Sequence, residues 1–110
     1  MSAGAEQVQP VITVNFATWT LNGQRMSRTD HALMRVFVDR AGTVVSKREL
    51  SLACWGSVPQ NRYGRMTSRA VDAAVSRLRQ KGVPLINIWG VGWLLPEGTA
   101  MRKEVGETVR

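Results

Sequence analysis

The chain has 110 residues, 44% hydrophobic and 21% charged, with fifteen Lys and Arg against eight Asp and Glu for a formal net charge of +7. That length and composition describe one domain with a single modest core and argue against wholesale disorder. With one cysteine, Cys54, and one histidine, His31, an internal disulfide and a Cys/His metal cage are excluded, and no apolar run reaches transmembrane length.

The positive excess suits a polyanionic partner and equally serves solubility. The opening MSAGAEQVQP has neither a basic start nor an apolar stretch, so it does not read as a signal peptide and the expected location is cytoplasmic. Residues 1–10 are small and polar and are expected to be flexible.

VITVNF, Val11 to Phe16, alternates in a way that suits a half-buried strand. Asn22-Gly23 is a two-residue hairpin signal, because both central positions of a type I′ turn need positive φ. The domain is therefore expected to open with a small antiparallel sheet. SRTDHALMRVFVDRAG then changes period. Ser27 with Asp30 resembles a capping box, Leu33, Val36 and Phe37 fall on one helical face, and Gly42 reads as the left-handed stop.

TVV is a short β-branched piece, and SKRELSLACWG repeats the helix grammar. Ser46 and Glu49 form a capping box, Leu50, Ala53 and Cys54 the apolar face, and Gly56 the end. SVPQNRYGRMT is a breaker-rich loop carrying Arg62, Tyr63 and Arg65. A third helix follows over 68–81 with Ser68 as its expected N-cap, and Pro84 forbids its continuation. INIWGVGWLL, Ile86 to Leu95, reads as a glycine-centred hairpin, so the wing spans 85–95. Residues 97–110 mix both charges with little apolar pattern and are expected to fray.

The third helix separates into two faces at about 100° per residue. Val71, Ala74, Val75 and Leu78 face the body of the domain. The opposite side presents Arg69, Ala73, Ser76 and Gln80, with Arg77 on one shoulder and Asp72 and Arg79 on the other. A helix entering the major groove needs a slim centre to approach base edges and long cationic arms to reach phosphates. An ordinary solvated helix would instead interleave Glu and Lys, whereas Asp72 is the only acidic residue between Glu49 and Glu97.

Three helices, the last basic and followed by a hairpin, describe an α+β winged helix-turn-helix over 11–96. At these residues the chain also resembles the DNA-binding effector domain of OmpR/PhoB-type response regulators. SKRELSLACWG is similar to that family's second helix. SRAVDAAVSRLRQK resembles its recognition helix, marked by Arg-x-Val-Asp and a closing Arg-Leu-Arg. INIWGVGWLL resembles its wing, usually written around Arg-Gly-x-Gly-Tyr, and MSRTDHALMRVF suits its first helix.

The resemblance implies roles for particular residues. Arg77 matches an arginine that touches bases and phosphates, Arg69 and Arg79 match phosphate-contacting arginines, and Ala73 matches a small residue able to touch a thymine methyl. Trp55 matches a tryptophan that packs and approaches the DNA backbone. Departures stand beside these matches. Trp89 occupies the usual place of the wing arginine, Trp93 that of a tyrosine, and Ala74 that of a common histidine. Trp93 reads as core. Trp89 either covers the core or projects as an apolar contact, and both readings stay open.

The loop 57–67 is longer and more basic than the family's, in which some members touch RNA polymerase there. The 110 residues include no receiver domain, so the expectation is either a stand-alone DNA binder or an isolated relative put to another use.

Two functions follow as expectations. The first is a sequence-specific double-stranded DNA-binding transcriptional regulator; the resemblance adds self-association as tandem copies on direct repeats as one option and leaves the oligomeric state open. Its contact residues are Arg69, Ala73, Ser76, Arg77, Arg79, Gln80, Trp55, Arg62, Arg65 and Trp89. The alternative is a protein-interaction module that presents Trp89, Val91 and the long loop to a partner such as RNA polymerase. Neither needs a cofactor or metal, and no nucleophile-base constellation argues for an enzyme.

Overall fold

The computed structural model describes residues 12–58, 60–64, 67–99 and 101–104. Its strands are β1 (Ile12–Asn15), β2 (Thr20–Leu21), β3 (Gln24–Arg25), β4 (Val45–Ser46), β5 (Ile86–Ile88), β6 (Gly92–Leu94) and β7 (Met101–Glu104). Its helices are α1 (Arg28–Asp39), α2 (Lys47–Trp55) and α3 (Arg69–Gln80). The strands form two sheets, ordered β3-β2-β1-β7 and β4-β6-β5. Residues 1–10, Arg65 and the end of the chain from 105 lie outside the described residues.

The N-terminal sheet folds on its expected turn. Asn22 and Gly23 take φ values of 51° and 81°, which lets Leu21 pair with Gln24 across a two-residue connection. Asn22 also ties distant pieces together. Its Oδ1 accepts from the Thr13 N–H, and its Nδ2 donates to the Lys81 carbonyl at the end of α3. One turn residue therefore fastens the sheet to the third helix.

Both expected capping boxes are present. Ser27 Oγ accepts from the Asp30 N–H while Asp30 receives the Ser27 N–H, and Ser46 and Glu49 repeat the exchange. Arg40 donates to Glu49 at 2.7 Å. This bond, then the bond from the Ser46 backbone, holds the Glu49 carboxyl below its ordinary range. Gly56 ends α2 in the left-handed conformation. Leu33, Met34 and Phe37 of α1 pack with Leu50 of α2 and Val71, Val75 and Leu78 of α3 in one core, with Val36 half-buried at its edge.

Several expectations are corrected. Helix α1 ends at Arg40; Gly42 keeps its positive φ but spends its N–H on the Leu95 carbonyl, joining the segment after α1 to the wing. Ala53 is exposed, since the short α2 buries Leu50 and Ser51 instead. Ser68 stands at the N-cap of α3, but its hydroxyl donates to Asp72 and caps no backbone N–H. The stretch from Glu97 is not wholly a frayed tail. Residues 101–104 form β7, parallel to β1, with Ile12 opposite Met101, and Met101 packs against the core. Among the described residues no helix is long and apolar enough to cross a membrane.

Candidate nucleic-acid interface

Helix α3 divides as its period requires. Val71, Ala74, Val75 and Leu78 are buried, while Arg69, Ala73, Ser76, Arg77, Arg79 and Gln80 are exposed. Among the described residues, no ion pair engages Arg69 or Arg77. Arg79 is held differently, with its guanidinium carbon 5.6 Å from the centre of the Trp93 ring. Lys81, just past the helix, is turned back to Asp30 at 2.6 Å. That carboxylate is only 3% exposed, so Lys81 neutralises a buried charge.

Asp72, the lone acid of the region, is drawn to the hairpin. Its carboxylate accepts from the Trp93 indole N–H at 3.3 Å, from Ser68 Oγ at 3.0 Å and from Lys47 Nζ at 3.4 Å. Three elements therefore meet on one side chain: α3, the start of α2, and the wing. The arrangement fixes the angle between α3 and the hairpin, and it partners the one negative charge with a lysine. Trp93 is 6% exposed, as expected for a core ring, and it replaces a phenolic hydroxyl with an indole donor.

The wing is a hairpin fastened to a third strand. Val45 pairs with Trp93 and Ser46 with Gly92. The two glycines of GVG in this hairpin have separate physical reasons. Gly90, at φ 77°, lets the turn close through the Val91 N–H to the Ile88 carbonyl. Gly92 faces β4 so closely that a side-chain carbon there would collide with the Val45 carbonyl. Trp89 at the crest is 90% exposed. It covers no core, which removes one of the two readings left open by the sequence.

The structure gathers these groups unequally. Ser76, Arg79 and Gln80 share an open groove with Pro84, Leu85 and Ile86, so the outward face of α3 runs on into β5. Ile86 was not foreseen as part of this surface, and its exposure of 46% follows from its place in the outer strand of the small sheet. Lys47 and Arg48 line a second groove with Ser46, Gly90 and Val91. They too were missed, although the Lys-Arg pair straight after a cap residue was a visible signal. Trp55 is 41% exposed and lines a groove with Arg28, Thr29, Ala53 and Cys54, between the start of α1 and the end of α2. Arg62 is exposed beside Tyr63, in a turn where Asn61 Oδ1 accepts the Tyr63 N–H.

His31 and Cys54 occupy separate packing environments. His31 stacks on Trp19 at 4.1 Å, meets the Phe16 ring edge-on and hydrogen-bonds to the Phe16 carbonyl. Burial, with the Asp30 charge added, pushes the Cys54 thiol up to about 11, so the sulfur stays protonated at neutral pH. Among the described residues no cluster of His, Cys, Asp or Glu could hold a metal.

The family described as transcriptional regulatory protein, C terminal, matches residues 22–95. Among solved structures, the fold is similar to the DNA-binding domain of the response regulator AdeR, in complex with an intercistronic region. That likeness has a TM-score of 0.63 at 23% identity and covers 83% of this chain and 99% of that one. It is also similar to the C-terminal domain of the nisin resistance regulator NsrR, a lantibiotic response regulator, with a TM-score of 0.58 at 20% identity, covering 82% and 96%. No curated protein matches the sequence significantly. The shared winged-helix fold and the match along most of its length place this chain in the family of transcriptional regulatory protein C-terminal domains, the OmpR/PhoB-type DNA-binding winged helices.

Proposed function

We propose that this domain binds double-stranded DNA sequence-specifically and so regulates transcription, with α3 in the major groove and the wing beside it. One observation supports this above others. The outward face of α3 is slim at Ala73 and Ser76, cationic at Arg69 and Arg77, and relieved of its only acid by the Asp72 contacts. Arg77 is proposed to read a base edge; Arg69, Arg79 and Arg62 to hold phosphates; Ala73, Ser76 and Gln80 to lie against the bases. Trp55, Arg65 and Trp89 complete the proposed contact set. The AdeR domain, of the same fold, is bound to an intercistronic region, which supports the reading by likeness of fold.

Selection of sites from random duplex DNA by the purified protein tests it. Recovery of one motif supports specific binding, and recovery of that motif as a direct repeat supports tandem copies. Recovery of no enriched sequence contradicts the proposal. The second reading, a docking module for a protein such as RNA polymerase, is favoured by the exposure of Tyr63 (77%) and Val91 (53%). It would gain from a failed selection.

A further inference from the structure

From Gly82 to Pro96 the chain carries no charge, although the protein as a whole carries +7. Inside that neutral stretch the wing crest exposes Trp89 by 90% and Val91 by 53%. Covering an indole so fully hydrated would be favourable, since burying apolar area gains free energy. Its base is fastened: the turn closes through Val91 and Ile88, and β6 and the residue after it are anchored by Trp93 and Leu95, at 6% and 1% exposure. The crest is thus an apolar knob raised on a strand that is anchored in the core.

Its surroundings are cationic and polar. Lys47 and Arg48 share a groove with Gly90 and Val91 at one side of the knob, and β5 shares a groove with Ser76, Arg79 and Gln80 of α3. Lys47 also partners Asp72, whereas no ion pair among the described residues engages Arg48. An apolar knob beside cations, continuous with the outward face of α3, complements a polyanion that has an apolar interior. Duplex DNA has that construction, with phosphates outside and stacked bases within. A phosphate can accept only the single indole N–H, whereas a base step offers the whole ring two apolar faces.

We propose that Trp89 is an apolar wedge that enters the minor groove beside the α3 site, partly unstacks one base step and kinks the duplex. The proposal rests on the groove-binding reading above and adds a determinant of specificity to it. Steps that unstack easily, TA and CA/TG, are favoured under the wing although no side chain reads their edges. Arg48 holds a phosphate next to the step.

The test uses the full chain and a duplex carrying the selected site, with 2-aminopurine replacing adenine at each step flanking the α3 motif in turn. A fluorophore pair at the duplex ends reports bending. The native protein is expected to raise 2-aminopurine emission at one flanking step and to bring the duplex ends closer. Trp89→Ala is expected to abolish both signals and to weaken binding about tenfold with an unchanged salt slope, since stacking is lost and no charge is removed. Trp89→Phe keeps most of the signal. Trp89→Arg steepens the salt slope by about one and still gives no unstacking.

The exposed position lets all three variants fold, which thermal melting checks. Tight duplex binding with no unstacking and no bend at any flanking step overturns the wedge and leaves the groove-binding reading standing. So does a Trp89→Ala protein that binds and bends DNA like the native one, and a protein partner is then the better occupant. Absence of any duplex binding by the native chain overturns both.

Discussion

Arg77 and Arg79 are two residues apart on α3, yet their surroundings differ. No ion pair among the described residues engages Arg77, and Arg79 lies over the Trp93 ring. Arg77→Ala is therefore expected to leave stability within about 0.5 kcal/mol of the native value. On the selected site it should cost about 1–3 kcal/mol of affinity and relax preference at one base pair. Arg62→Ala, in the loop, should weaken all sequences alike. Binding measured on the selected site and on single-base variants separates the two patterns. The Lys81–Asp30 pair gives the opposite case. Lys81→Met leaves the Asp30 carboxylate buried with its charge uncompensated and should lower stability by about 3 kcal/mol in urea unfolding. Cys54 has a pH signature. Its thiol is raised from 9.0 to about 11 in the folded protein, so the neutral form favours folding. That contribution is complete below pH 9 and is lost as pH rises toward 11, because the unfolded chain ionises first. Native Cys54 should react slowly with alkylating reagents at pH 8, and the rate should rise on unfolding.

At the scale of elements, the two wing glycines make a paired prediction. Gly92→Ala drives a methyl into the Val45 carbonyl, separates β6 from β4, and should destabilise by more than about 2 kcal/mol. Gly90→Ala meets open space and bears only the strain of positive φ, about 1 kcal/mol. Thermal melts of both proteins check the difference in size. Much of this architecture was legible because its signals are local. The Ser27/Asp30 and Ser46/Glu49 boxes, the Asn22-Gly23 turn and the two faces of α3 each depend on residues within a few positions. Contacts between distant segments were not legible. Nothing in the charged run after Met101 announces a strand parallel to β1, because the pattern that selects it lies at the other end of the chain. Ser68 takes its expected N-cap position, but Asp72, one turn later, accepts the hydroxyl and no backbone N–H is capped. The direction of Trp89 is set by the turn geometry at Gly90, which the hydrophobic pattern of the hairpin does not encode. Of the expected contact residues, the α3 set was readable from periodicity. Lys47, Arg48 and Ile86 join the surface only through the meeting of α2, α3 and the small sheet.

At the scale of the whole molecule, the net charge of +7 is distributed with purpose. Three acidic side chains within the domain are paired inward or along its flank: Asp30 with Lys81, Asp72 with Lys47, Glu49 with Arg40. The arginines of α3 and Arg62 of the loop stay outward, beside a neutral wing. Such a surface attracts a polyanion at long range and leaves close recognition to a few side chains. The central claim is that this surface holds duplex DNA through its phosphates, and the salt dependence of binding tests it most directly. With about five phosphates neutralised, the logarithm of the binding constant for the selected duplex should fall against the logarithm of salt concentration with a slope between about −4 and −5. A binding constant that does not change with salt contradicts the account.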